Sequence, residues 1–217
     1  MAGRRIAAFD FDGTLTRRDT LIGFLVQACG RRRVAGAVTA VATQAAAARA
    51  RPSPPGAHHR DTTKEQLLAR LFAGDQAERV TEEGRRYAAT LPRRLRPEAQ
   101  QRVDWHRREG HELVIVSASL LAYLEPFAAT HGFDHVIGVG LEVGDDGRLT
   151  GRLTGPNVRG PEKAVRLQAW LDGIEPDGLW AYGNSRGDHE LMALSTHGGA
   201  WYGKSRHRPI SQKDATD

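Results

Sequence analysis

Three short, unbroken apolar runs constrain this chain most. They are residues 6–9 (IAAF), 113–116 (LVIV) and 179–182 (LWAY). A strand with one wet face alternates apolar and polar side chains; these runs do not, so they read as strands buried on both faces of a parallel sheet. Residues 136–139 and 199–202 are two further strand candidates. Helical patterns fall between them, at 98–109, 120–131, 162–171 and 189–194. Strands alternating with helices predict an α/β fold with a doubly wound, Rossmann-like parallel sheet.

Residues 17–91 break that rhythm. They are rich in alanine and arginine, with helical spacing at Leu21, Phe24 and Leu25 and again at Leu67, Leu68, Leu71 and Phe72. The expectation is an inserted helical cap over a core made of residues 1–16 and 92–204. Within the insertion, residues 51–60 (RPSPPGAHHR) hold three prolines and a glycine and read as a loop. Asp146-Gly147, between β-prone runs in residues 141–155, signals a hairpin. The polar tail, 205–217, is expected to fray.

Composition excludes several classes. A 217-residue chain that is 40% hydrophobic and 26% charged is globular in character. One cysteine, Cys29, leaves no internal disulfide framework. The apolar run after MAGRR is too short for the core of a signal peptide, and no stretch reaches the length of a membrane-spanning helix. These features lead to the expectation of a cytoplasmic chain without a membrane span. A net charge of +5 would attract phosphorylated ligands, anionic lipid or nucleic acid. However, the arginines are scattered. The clusters Arg31, Arg32, Arg33 and Arg93, Arg94, Arg96 carry no interleaved aromatic pattern, so no specific nucleic-acid partner is expected.

In open α/β sheets, ligands bind beyond the carboxyl ends of the strands. The three main runs lead into Asp10-Phe11-Asp12-Gly13-Thr14, Ser117-Ala118-Ser119 and Gly183-Asn184-Ser185, with Asp188 close behind. Side chains two apart on an extended chain share a side, so Asp10 and Asp12 can face one pocket. Such a carboxylate pair suits a hard divalent cation. A carboxylate can also attack phosphorus while its neighbour exchanges protons with the leaving group and water. Gly13 permits a tight turn that brings amides near a phosphate. The Ser117 hydroxyl and the amides after it suit phosphate oxygens, although Ser119 also suits a helix cap. Lys163 follows Pro161 in an opening helical turn, where a cation opposes the helix dipole. That small cost points to a partner such as Asp10 or a phosphate, against the plainer alternative of a solvated lysine. Asn184 and Asp188 can offer oxygen to a cation, and Asp188 can alternatively cap the next helix.

As an ordered set, DFDGTLT (10–16), VIVSAS (114–119), GPEK (160–163) and GNSRGD (183–188) resemble the four motifs of the haloacid dehalogenase-like hydrolase superfamily, in the phosphoserine phosphatase-like branch of its subfamily IB. The resemblance implies a phosphatase that uses Mg2+ and an aspartyl-phosphate intermediate. Asp10 would be nucleophile and metal ligand. Asp12 would be the general acid and base, and its backbone carbonyl would face the metal. Gly13, Thr14, Ser117, Ala118 and Lys163 would hold the phosphate of a small substrate, and Asn184 and Asp188 would complete the metal site. The branch usually has aspartate where this chain has Asn184, which removes a charge beside the cation and weakens its binding. Two alternatives share the motifs: a catalytically weak binding protein on this fold, and a phosphotransferase or mutase using the same intermediate. The cap arginines, Arg85 and Arg86 among them, are candidates for a second anionic group of the substrate.

Overall fold

The structure is a computed structural model that describes residues 3–49, 59–202 and 207–210. In chain order, β1 (Arg5–Phe9) leads into four helices, α1 (Leu21–Cys29), α2 (Arg31–Arg49), α3 (His59–Phe72) and α4 (Ala77–Ala88). Then follow α5 (Pro97–Arg108), β2 (Glu112–Leu120), α6 (Leu121–Thr130), β3 (His135–Val139), β4 (Leu141–Val143) and β5 (Leu149–Leu153). The chain continues through α7 (Pro161–Leu171), β6 (Gly178–Gly183), α8 (His189–Ala193), β7 (Gly199–Tyr202) and β8 (His207–Ile210).

Six strands form one sheet in the order β3-β2-β1-β6-β7-β8, and all but β8 run parallel. β1 sits between β2 and β6, with Phe9 opposite both Ile115 and Tyr182. Ile6, Ala7, Ala8 and Phe9 are fully buried, as an unbroken apolar run on a central strand requires. The 141–155 segment forms the expected hairpin of β4 and β5.

The tail expectation needs one correction. Residues 207–210 pair antiparallel with β7, with Pro209 opposite Ala200. A proline cannot donate to a ladder, but on an edge strand its nitrogen side can face away from the sheet. The rest of the 205–217 stretch, and residues 51–58 of the proline-rich loop, lie outside the described residues; His59 and Arg60 belong to α3.

The inserted helices share a core with the sheet domain. Phe24 of α1 packs against Phe72 of α3, Tyr87 of α4 and Tyr123 of α6, with ring centroids 5.1–6.0 Å apart. The Tyr87 hydroxyl donates to the Thr20 carbonyl at 2.7 Å. Gly84 of α4 lies so close to α6 that an added Cβ would stand 1.9 Å from the Ala122 carbonyl oxygen. No helix among the described residues is long and apolar enough to cross a membrane.

Candidate active site

The expected site residues converge where β1, β2 and β6 end. The Asp10 amide donates to the Tyr182 carbonyl at 2.9 Å, which fixes Asp10 at the junction of β1 and β6. The chain then turns tightly through residues 11–15, with Gly13 at φ 82°. Any side chain there would be strained, and its Cβ would meet the Asn184 amide at 1.7 Å.

Lys163 is the centre of the arrangement. Its Nζ donates to Asp10 Oδ1 at 2.5 Å and to Asp188 Oδ1 at 2.6 Å, and the residue is only 2% exposed. The solvated-lysine alternative is therefore set aside. Burial opposes the lysine's charge, but the two carboxylates outweigh it and hold its pKa above the ordinary value. The carboxylates themselves differ. Burial also opposes the charge of Asp188, but Lys163 and three donors hold its pKa below the usual range. Those donors are the Asn184 amide at 3.0 Å, the Ser185 amide at 2.9 Å and the Ser185 hydroxyl at 3.0 Å, all to Oδ2. Asp10 has only the Thr14 hydroxyl, 2.9 Å from Oδ2, beside the lysine. Burial, only partly countered by Lys163, pushes Asp10 up to about 6.

Asp12 is tied differently. Its Oδ1 accepts from the Thr20 amide at 2.8 Å and the Thr20 hydroxyl at 2.7 Å, and its Oδ2 accepts from the Ser119 hydroxyl at 2.5 Å. Burial, with the negative charge of Asp19 behind it, pushes its carboxyl up to about 7. Asp12 can thus carry a proton near neutral pH. Its backbone carbonyl accepts from Asn184 Nδ2 at 3.1 Å.

Two sequence expectations about caps fail here. Ser119 does not cap α6, whose N-cap is Leu120 without a side-chain cap bond; the Ser119 hydroxyl turns instead to donate to the Asp12 carboxylate. Asp188 makes no side-chain cap to α8, because its oxygens are taken by Lys163 and the 184–185 turn.

Ser117 is 2% exposed and its Oγ accepts from the Ser119 amide at 3.2 Å. The Ala118 carbonyl accepts from the Lys64 ammonium of α3, which also donates to Asn157 Oδ1 at 2.8 Å. Thr20, Ser119 and Lys64 are contacts that sequence reading missed. Ser119 has a faint signal in its two-residue spacing from Ser117. Thr20 and Lys64 have none, because only the folded chain brings them in.

By chemistry, the oxygens of Asp10, Asp188 and Asn184, with the Asp12 carbonyl, are of the hard type that suits a cation such as Mg2+. A half-turn of the Asn184 amide would exchange its nitrogen for oxygen toward the Asp12 carbonyl. The set is lean in charge: among the described residues, no group of three or more His, Cys, Asp or Glu side chains is placed to hold a metal.

The arginine candidates separate. Arg85 and Arg86 pair with Glu82, and Arg86 also with Glu83, on the exposed face of α4. Arg96 donates to the Gly13 carbonyl at 2.9 Å and so buttresses the turn after Asp10, while Arg94 donates to the Tyr87 hydroxyl. A cleft of about 560 Å3 between α4, α6 and the β4–β5 hairpin is lined by Val80, Arg85, Leu121, Glu125 and Leu141 among others, and by none of the carboxylates above.

The sequence model of the haloacid dehalogenase-like hydrolases matches residues 7–193. This chain belongs to that family. It is 33% identical to Protein CicA of Caulobacter vibrioides over 195 residues, which cover 89% of this chain and 84% of the relative. It is 28% identical to the phosphoserine phosphatase SerB2 of Mycobacterium tuberculosis over 68% of this chain and 42% of that protein. A substrate-bound phosphoserine phosphatase structure superposes with a TM-score of 0.59 at 18% identity, covering 90% of this chain and 84% of the other, which shows the shared fold.

Proposed function

We propose that this protein is a Mg2+-dependent phosphatase that hydrolyses a small phosphomonoester through a phosphorylated Asp10. The observation that carries the reading is Lys163, buried between Asp10 and Asp188 at the end of the central strand. A buried ammonium held by two carboxylates costs desolvation that packing alone would avoid. It is well suited to a pocket that must also accept a phosphate dianion. The family membership and the named phosphatases among the relatives support the same reaction class.

In the first step an Asp10 oxygen attacks phosphorus, and the ester P–O bond breaks. Asp12, whose carboxyl is pushed up to about 7, gives its proton to the departing oxygen. In the second step water attacks the acyl phosphate, Asp12 takes the water's proton, and the Asp10–phosphorus bond breaks to release inorganic phosphate. Lys163, the Ser117 hydroxyl and the amides around Gly13, Thr14 and Ala118 would hold the phosphate oxygens. Asp10, Asp188, Asn184 and the Asp12 carbonyl would hold Mg2+, which supplies positive charge against the charge of the transferring group.

The test is phosphate release by wild type and Asp10→Asn over sugar phosphates, phosphoamino acids, nucleotides and lipid phosphates, with and without Mg2+. The expected result is Mg2+-dependent turnover that drops by about 10³ or more in Asp10→Asn. Turnover indifferent to Asp10, or no turnover on any substrate, would reject the reading.

A further inference from the structure

Besides Thr20, which bonds Asp12, the described part of the inserted helices reaches the residues around Ser117 through Lys64, a side chain that the reaction above does not use. Lys64 lies in the second turn of α3, and the far end of that helix packs against β5. Its ammonium donates to the Ala118 carbonyl and to Asn157 Oδ1 at 2.8 Å, on the loop that leads to α7 and Lys163. The Ala118 carbonyl belongs to the same peptide unit as the Ser119 amide. That amide donates to Ser117 Oγ at 3.2 Å.

From this chain of contacts we infer that Lys64 is a positioning residue for the phosphate pocket, acting through the 118–119 peptide on the Ser117 hydroxyl. A cation on a carbonyl polarises its peptide and strengthens the N–H at the other end as a donor. The Ser119 N–H then engages a Ser117 lone pair and leaves the hydroxyl hydrogen for an acceptor in the pocket. Ser117 is thus oriented to donate to a phosphate oxygen only while α3 is seated. Seating of α3 and orientation of the Ser117 hydroxyl are thereby linked through the 118–119 peptide. Asn157 Oδ1 also accepts from the ammonium, which helps to hold it at the Ala118 carbonyl.

The inference rests on the pocket being a phosphate pocket, and the experiment separates the two ideas. Binding of orthovanadate, a phosphate mimic, is measured by calorimetry in the presence of Mg2+ for wild type, Lys64→Met, Ser117→Ala, the double variant and Lys64→Arg; phosphate release is followed in parallel. Lys64→Met and Ser117→Ala are each expected to weaken vanadate binding about tenfold, and the double variant to bind no more weakly than Ser117→Ala alone. Lys64→Arg, which keeps a donor cation, should recover most of the loss. Thermal melts of all five proteins check that the changes are not unfolding.

Additive losses in the double variant would overturn the inference, because Lys64 would then act without Ser117. Lys64→Met binding as tightly as wild type would overturn it as well. In both cases wild-type phosphate release would leave the phosphatase reading standing. Wild type that neither binds vanadate nor releases phosphate would overturn both.

Discussion

Asn184 sits where the charge of the site is decided. Its Nδ2 donates to the Asp12 carbonyl at 3.1 Å, and its backbone amide donates to Asp188. Asn184→Asp would remove the side-chain donor and add a carboxylate beside Asp188. Without a cation that change should lower unfolding free energy by about 1–2 kcal/mol, since the Asp12 carbonyl loses its partner and like charges crowd. With Mg2+ the sign should reverse, because the added carboxylate would join the oxygens proposed to hold the cation. Calorimetric titration should show Mg2+ binding tighter by about tenfold, close to 1.4 kcal/mol. Unchanged or weaker affinity would remove Asn184 from the metal site. At this scale the sequence was legible where the partners are local. Asp10, Asp12 and Gly13 lie within one turn, and periodicity alone places the two aspartates together. Lys163 could be suspected only from its awkward place in an opening helical turn. Thr20 and Ser119 could not be assigned to Asp12, because their contacts cross between segments that only the folded chain brings side by side.

At the scale of elements, α4 and α6 meet in a close seam at Gly84. The Cβ of an alanine at Gly84 would meet the Ala122 carbonyl at 1.9 Å, and that oxygen is backbone that cannot rotate away. Helix propensity favours alanine over glycine by about 1 kcal/mol, but overpacking costs about 1–3 kcal/mol and should win here. Gly84→Ala is therefore expected to lower the melting temperature by several degrees. Gly36→Ala, in α2 with nothing within 4 Å of the new Cβ, should raise it slightly. A Gly84→Ala protein as stable as wild type would mean that α4 does not press on α6 as described. The strands and helices of the core were readable because each carries its own period and its own polar boundary. β8 was not: its proline and polar neighbours look like a tail, and only an edge position beside β7 makes that composition acceptable. The order of the strands likewise follows from connections around the insertion, which no local pattern records.

Across the whole molecule, two buried groups of opposite chemistry set the response to acid. Beneath the sheet, His106 contacts the Tyr182 hydroxyl through Nε2 and His111 through Nδ1, each at 2.8 Å. Burial, then the neighbouring His111, depresses His106 to about 3, and burial with Arg5 nearby lowers His111 too. Between the ordinary histidine value near 6.5 and these depressed values, the unfolded chain binds protons that the folded protein refuses. Their contribution to stability therefore falls as pH drops, by up to about 1.4 kcal/mol per pH unit for His106 and by less for His111. Asp10 and Asp12, raised to about 6 and about 7, have the opposite sign. The folded protein accepts their protons before the unfolded chain does, so in the absence of Mg2+ their contribution grows as pH falls from about 7 to about 4. The two pairs offset one another over that range. Below about pH 4 the aspartates are protonated in both states, while His106 still charges only on unfolding and Asp188, held low by Lys163, begins to lose its ion pair. Metal-free protein is thus expected to show nearly level unfolding free energy from pH 7 to 4 and a steep fall below. His106→Gln should soften that fall. Mg2+ held by the Asp10 carboxylate requires that group ionised, so the stabilisation it adds should fade as pH drops through about 6. Urea unfolding from pH 3 to 7, with and without Mg2+, reads all of this; a steady decline of the metal-free protein from pH 7 downward would show that the aspartates do not take up protons on folding, and the proton assigned to Asp12 as the acid of the reaction would go with it.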